Sequence, residues 1–88
     1  MSNYSRGANL ERKIKKRLES EGWFVVRSAG SKGLVDLVAF ASGQKPVFIQ
    51  VKLTGKLSKL ETINLIELAE RYDAMAMLSS KDGDVFLV

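Results

Sequence analysis

The chain has 88 residues, 14 Lys and Arg against 10 Asp and Glu, a formal charge of +4, and neither Cys nor His. The missing residues exclude disulfides, thiolate zinc sites, serine triads and histidine bases, so any catalysis falls to carboxylates, amides, Lys, Ser or Tyr with a hard, oxygen-loving metal. The length makes one domain, residues 1–88, whose small core favours dimerisation, and the positive surplus suits a polyanionic partner as well as it suits plain solubility.

Residues 6–21 carry Leu10, Ile14 and Leu18 every fourth position, which predicts a helix with one apolar stripe. Arg12, Lys13, Lys16 and Arg17 fall on its other side, and Gly22 stands at the C-cap position. At 100° per residue, Glu11 lies beside Leu18 on the edge of the stripe and faces inward. The N-terminal MSNYSRGANLERK lacks the apolar stretch of a signal peptide, and no segment is apolar for long enough to span a bilayer. A cytoplasmic address without membrane attachment is the expectation.

WFVVRS (23–28) predicts a strand, AGSKG (29–33) a glycine-bearing loop, and LVDLVAF (34–40) a second strand. SGQKP (42–46) is turn chemistry, so VFIQVKL (47–53) should return as the antiparallel partner of the second strand. Ser58-Lys59-Leu60-Glu61 is a capping box opening a helix to about Tyr72. Its apolar residues run most of the way round, which predicts cover on more than one side. AMAMLS (74–79) is a further strand, Asp82-Gly83 a turn, and VFLV the closing strand. The predicted order is α-β-β-β-α-β-β.

Two polar residues interrupt the third strand. Gln50 and Lys52 are two apart and share a face, as do Asp36, Val38 and Phe40 in the strand before. A suitable register brings Asp36, Gln50 and Lys52 together, and Glu11 joins them if the first helix packs across that side. Two carboxylates and an amide oxygen suit Mg²⁺ or Mn²⁺, which polarise a phosphodiester and help ionise water. A neighbouring lysine stabilises the charge that develops on phosphorus. A half-wetted sheet face gives the same alternation, with Asp36 and Lys52 as an ion pair and Gln50 as a satisfied polar residue. An acid early in a helix also favours the macrodipole without any further role.

The ordered set E11…G33-L-V-D36…Q50-V-K52 resembles the PD-(D/E)xK nuclease superfamily. Within it, RGANLERKIKKRLESEGWFVVRSAGSKGLVDLVAF…VFIQVK is similar to the archaeal Holliday-junction resolvases over most of the chain. The resemblance implies an α/β, restriction-endonuclease-like fold: a mixed β-sheet flanked by helices. It implies a homodimer and Mg²⁺-dependent hydrolysis of DNA, with Mn²⁺ able to substitute. It implies that Glu11, Asp36, Gln50 and the Val51 carbonyl are metal ligands and that Lys52 is the catalytic lysine. Arg6, Arg27, Ser28, Ser31 and Lys32 would contact phosphate, joined by Arg12, Lys13 and Lys16 of the basic helix face. Two positions depart from the pattern: Val35 stands where the family has Pro, and Gln50 where it has a second acid. The loss of one charge implies weaker metal binding and a preference for Mn²⁺ or higher Mg²⁺. Branched DNA is the expected substrate. A restriction- or repair-type nuclease on other DNA, and an inactive DNA-binding module on the same fold, are the alternatives.

Overall fold

The computed structural model describes residues 3–28 and 33–87, without the side chains of residues 3–5. The order of elements is the one expected: α1 (Asn3–Ser20), β1 (Phe24–Arg27), β2 (Leu37–Phe40), β3 (Val47–Val51), α2 (Lys59–Arg71), β4 (Met75–Ser80) and β5 (Gly83–Phe86). The strands form one sheet in chain order. Three neighbouring pairs are antiparallel, while β3 and β4 run parallel because α2 connects them.

Period-2 alternation assigns each face a partner. Leu37 and Ala39 of β2 and Val47, Ile49 and Val51 of β3 point to one side, where Ile14 and Leu18 of α1 cover them. Phe48 points to the other side with Ala76, under Leu65 and Ala69 of α2. The strands that carry the two-sided core are therefore near-continuous apolar runs, and the few polar residues within them stand out.

Local chemistry fixes the ends. Gly22, at φ +99°, lets the chain leave α1 in the left-handed region. At α2 the capping box is complete: Ser58 Oγ accepts from the Glu61 N–H, and Glu61 Oε1 accepts from the Ser58 N–H. β2 starts at Leu37 rather than at residue 34, because residues 33–36 bend on entering the sheet. β5 begins at Gly83, two residues before the expected VFLV strand. Among the described residues no helix is long and apolar enough to cross a membrane.

Cover on the second face is incomplete. Phe24 and Val26 of β1 and Phe40 of β2 are exposed, and the rings of Phe24 and Phe40 meet at 6.3 Å. On α2, Leu60 and Ile63 are exposed too, so the apolar circumference of that helix exceeds what the sheet buries.

Candidate active site

Asp36 sits where β2 begins, with its main chain held on both sides. Its N–H donates to Ile49 O at 2.8 Å, and its carbonyl accepts from the Ser28 N–H at 2.9 Å. Leu37 pairs with Ile49, so the antiparallel register sets Asp36 opposite Gln50. The side chains meet as the register requires. Asp36 Oδ2 accepts from Gln50 Nε2 at 3.0 Å and from the Val51 N–H at 2.8 Å. Among the described residues no other hydrogen bond reaches this carboxylate. The carboxyl is buried, and desolvation pushes its pKa above the usual carboxylate range; the Val51 N–H opposes that shift, the Glu11 charge adds to it, and Lys52 and Arg27 oppose it.

Lys52 follows β3 directly, its N–H bonded to Ser79 O at 3.0 Å. Its ammonium lies within Coulombic reach of Asp36 and is bonded to Glu61 Oε2 of α2 at 2.8 Å. Glu61 was not legible as a site residue, since its place in the capping box already accounts for it. The Lys52 hydrogen bond, helped by the Ser58 N–H, pulls the Glu61 carboxyl from 4.5 down to about 2.

Glu11 approaches Asp36 from the opposite face of the sheet. The helix that carries it lies across the Leu37–Ile49 face, not the Gln50 face, so the packing on which its joining the cluster depended does not occur. Its charge still acts on Asp36. Arg27, whose partner Leu37 points to the α1 side, holds Glu11 Oε1 through Nε at 2.9 Å. Two residues expected to meet metal and phosphate separately are thus paired with each other, and a guanidinium offsets part of the negative charge that Glu11 brings.

Among the described residues no group of three or more His, Cys, Asp and Glu side chains gathers at one point. The acids near Asp36 and Lys52 are Glu11 and Glu61, each already paired with a cation, and the Gln50 amide lies between β2 and β3. The donors remain all-oxygen, and the raised carboxyl of Asp36 is a buried charge that a cation would relieve. That chemistry fits a hard divalent ion, with one charge fewer than a three-carboxylate site.

The basic residues divide into two groups. Arg6, Lys13 and Lys16 are exposed on α1; Arg12 is exposed and donates to Asn9 Oδ1 at 3.5 Å. Arg17 is not available in the same way: it binds both oxygens of Asp84 at 2.8 Å and Glu21 at 3.3 Å. Asp84 in turn accepts from Ser79 Oγ, so Arg17 clamps α1 to the last hairpin. A groove beside α1 is lined by Arg6, Lys13, Leu53 and Lys81 and opens next to Lys52 in sequence. Lys81 could not be selected from spacing, because only the β4–β5 hairpin brings it to α1. Ser28 is exposed at the end of β1, while Ser31 and Lys32 lie outside the described residues.

Comparison with known proteins gives the family and the fold. Residues 2–87 match the family model described as archaeal Holliday junction resolvase (Hjc). The chain is 36% identical over 90 residues to the crossover junction endodeoxyribonuclease Hjc of Methanocaldococcus jannaschii, covering 97% of this chain and 66% of that protein. The fold matches Archaeoglobus fulgidus Hjc, a Holliday junction resolvase from an archaeal hyperthermophile, with a TM-score of 0.71 and 29% identity over 86% of this chain and 64% of that one. The chain therefore spans just under two thirds of the length of each. With a resolvase-family sequence over nearly all its residues and the sheet order of a resolvase, the chain belongs to the archaeal Holliday junction resolvase family.

Proposed function

We propose that the chain is a divalent-metal-dependent endonuclease that hydrolyses phosphodiester bonds of four-way-junction DNA. The observation that carries this reading is the buried Asp36 carboxylate, bonded through Oδ2 to Gln50 and Val51 at the end of β3, with the Lys52 ammonium within Coulombic reach. Asp36, the Gln50 amide oxygen and the Val51 carbonyl would hold Mg²⁺, or Mn²⁺ in its place, and Glu11, whose charge reaches Asp36 from the α1 side, would join them on parting from Arg27. When bound, the cation supplies Lewis-acid polarisation of the phosphodiester and acidifies an attacking water. Val51 and Gln50 orient the Asp36 carboxylate through its Oδ2. Lys52 presents an ammonium beside that carboxylate and stabilises negative charge that develops on the phosphate in the transition state. Arg6, Arg12, Lys13 and Lys16 hold the DNA backbone by charge, with Ser28, Ser31 and Lys32 contacting phosphate.

Resolution of a junction needs two symmetric incisions, and one copy of the chain carries one such site. A homodimer supplies two related by a two-fold axis. The exposed apolar residues Phe24, Val26, Phe40, Leu60 and Ile63 support self-association. Sedimentation equilibrium at micromolar concentration should return twice the chain mass.

The Gln50–Asp36 hydrogen bond supports a second reading. An amide N–H already satisfies Asp36 in part, as a cation would, so a protein that binds junctions without cutting them fits the same contact. Cleavage of a labelled four-way junction, a linear duplex and a single strand, with Mg²⁺ and then Mn²⁺, separates these. Metal-dependent cutting of the junction, lost in Asp36→Ala and Lys52→Ala, supports the resolvase reading. Preferential cutting of the duplex moves it to a restriction- or repair-type nuclease. Junction binding with no cutting under either metal selects the binding module.

A further inference from the structure

The ammonium proposed to work on phosphate is fastened to a residue that the reaction leaves unassigned. Glu61 uses its two oxygens for two different partners: Oε1 accepts from the Ser58 N–H at 3.0 Å, and Oε2 meets Lys52 Nζ at 2.8 Å. The first contact belongs to the helix cap and fixes where the carboxylate stands. The second then sets a fixed anion at the tip of a side chain with four rotatable bonds.

We infer that Glu61 is a positioning residue for Lys52: the α2 capping box holds the carboxylate, and the carboxylate holds the lysine ammonium beside Asp36. This rests on the resolvase reading for its consequence but not for its geometry. An exposed ion pair contributes little to stability, and both side chains here are about a third exposed, at 31% and 36%. Its worth lies elsewhere. Lys52 lies within Coulombic reach of Asp36 as well as bonded to Glu61, so a released ammonium has a competing acid to move toward. Pre-set side chains matter to catalysis on the scale of an ångström, where misplacement costs up to about a hundredfold in rate.

The sequence grammar of the capping box offers a clean separation, because Gln serves at its third helical position as Glu does. Glu61→Gln keeps an oxygen for the Ser58 N–H and removes the charge that holds Lys52. Ser58→Ala does the reverse: it deletes the acceptor for the Glu61 N–H and leaves the Ser58 N–H, Glu61 and Lys52 in contact. Two readouts are taken on each full-length protein. The first is turnover of a labelled four-way junction under saturating Mg²⁺ or Mn²⁺, with kcat and KM separated. The second, free of metal and DNA, is the ¹⁵N signal of the lysine ammonium groups, with Lys52 assigned by its loss in Lys52→Arg.

Glu61→Gln should keep its Tm within a degree or two, lower kcat about tenfold or more with KM little changed, and broaden the Lys52 signal away. Ser58→Ala should lower Tm yet keep both kcat and the Lys52 signal. Activity that follows Tm in both variants would show Glu61 to be a helix cap only and overturn the proposal. An unchanged or faster Glu61→Gln would overturn it too, the faster one showing that Glu61 restrains the lysine. If the wild-type protein cuts no substrate, the resolvase reading fails by itself. The ammonium signal then still decides whether Glu61 holds Lys52: its survival in Glu61→Gln overturns the inference.

Discussion

At Asp36, burial and a proposed cation work against each other. Desolvation raises the carboxyl above its usual 3.8, so the folded protein binds this proton more tightly than the unfolded chain does. For an acid, a raised folded pKa means that stability falls as pH climbs from the unfolded value through the folded one, and stays lower above it. Asp36→Asn keeps an oxygen to accept from the Val51 N–H and the Gln50 amide and removes the buried charge. In EDTA at pH 7 it should melt above the wild type, with the gap narrowing as pH drops toward 4 and the wild-type carboxyl protonates. Fluorimetric melting curves at the two pH values check this; a variant less stable at pH 7 contradicts it. Gln50→Glu acts in the opposite sense. It removes the Nε2–H donor to Asp36 and sets two carboxylates side by side, so Tm should fall in EDTA. Mg²⁺ affinity, measured by calorimetric titration, should rise roughly tenfold, the lower end of the range over which metal-site substitutions act. The trio Asp36, Gln50 and Lys52 was readable because a strand has period two and the hairpin register follows from its turn. Glu11 was only half readable. Its helical phase places it at the stripe edge, but no feature of that helix says which sheet face it covers. Nor does β1 announce that Arg27 will meet it.

At the scale of the element, α2 shows how a local sequence rule acquires a distant consequence. Ser58 and Glu61 satisfy two N–H groups that the first turn otherwise leaves open. Ser58→Ala should cost about 1 kcal/mol, read as a Tm lower by roughly 4–8 °C in a domain this small. Glu61 adds a pH signature. Its folded pKa of about 2 lies below the unfolded 4.5, so its contribution is present above pH 4.5 and is lost as pH falls from there toward 2. Solvent screening mutes the effect at so exposed a carboxylate. The small margin of wild type over Glu61→Gln, a degree or two in Tm, should therefore close across that window, as melting curves at stepped pH would record; a margin that widens toward pH 2 contradicts the ion pair. The capping box, both helices and the order of all seven elements could be read directly from spacing, since each depends on neighbours within four residues. The strand ends could not: β2 starts late and β5 early because the bend at 33–36 and the Ser80–Gly83 turn are set by contacts across the sheet.

Across the whole molecule, ion pairing separates the cations behind the sequence charge of +4 into those held by acids and those left to solvent. Lys15 and Arg17 are paired with Glu19 and Glu21, Lys45 with Asp73, and Lys52 with Glu61. The cations that remain on the α1 side include Arg6, Lys13 and Lys81, which line one groove, and Lys16 exposed on the same helix. Helical spacing alone placed Arg17 on the basic face of the helix with its neighbours, but the fold ties it to Asp84 and so to β5. This separation makes a sharp test. Each phosphate neutralised by a protein cation contributes about 0.9 to the slope of log affinity against log salt on duplex DNA. Junction binding by the metal-free protein, followed by fluorescence anisotropy from low to physiological salt, should give a slope of several units. Lys13→Ala and Lys81→Ala should each reduce its magnitude by about one unit while leaving Tm nearly unchanged. Arg17→Ala should leave the slope as it is and cost up to about 1 kcal/mol in stability, since the bonds it loses are to carboxylates within the chain. A slope reduced equally by Arg17→Ala would mean that DNA displaces Asp84 and draws Arg17 into the binding face, and that the clamp from α1 to β5 opens when the junction docks.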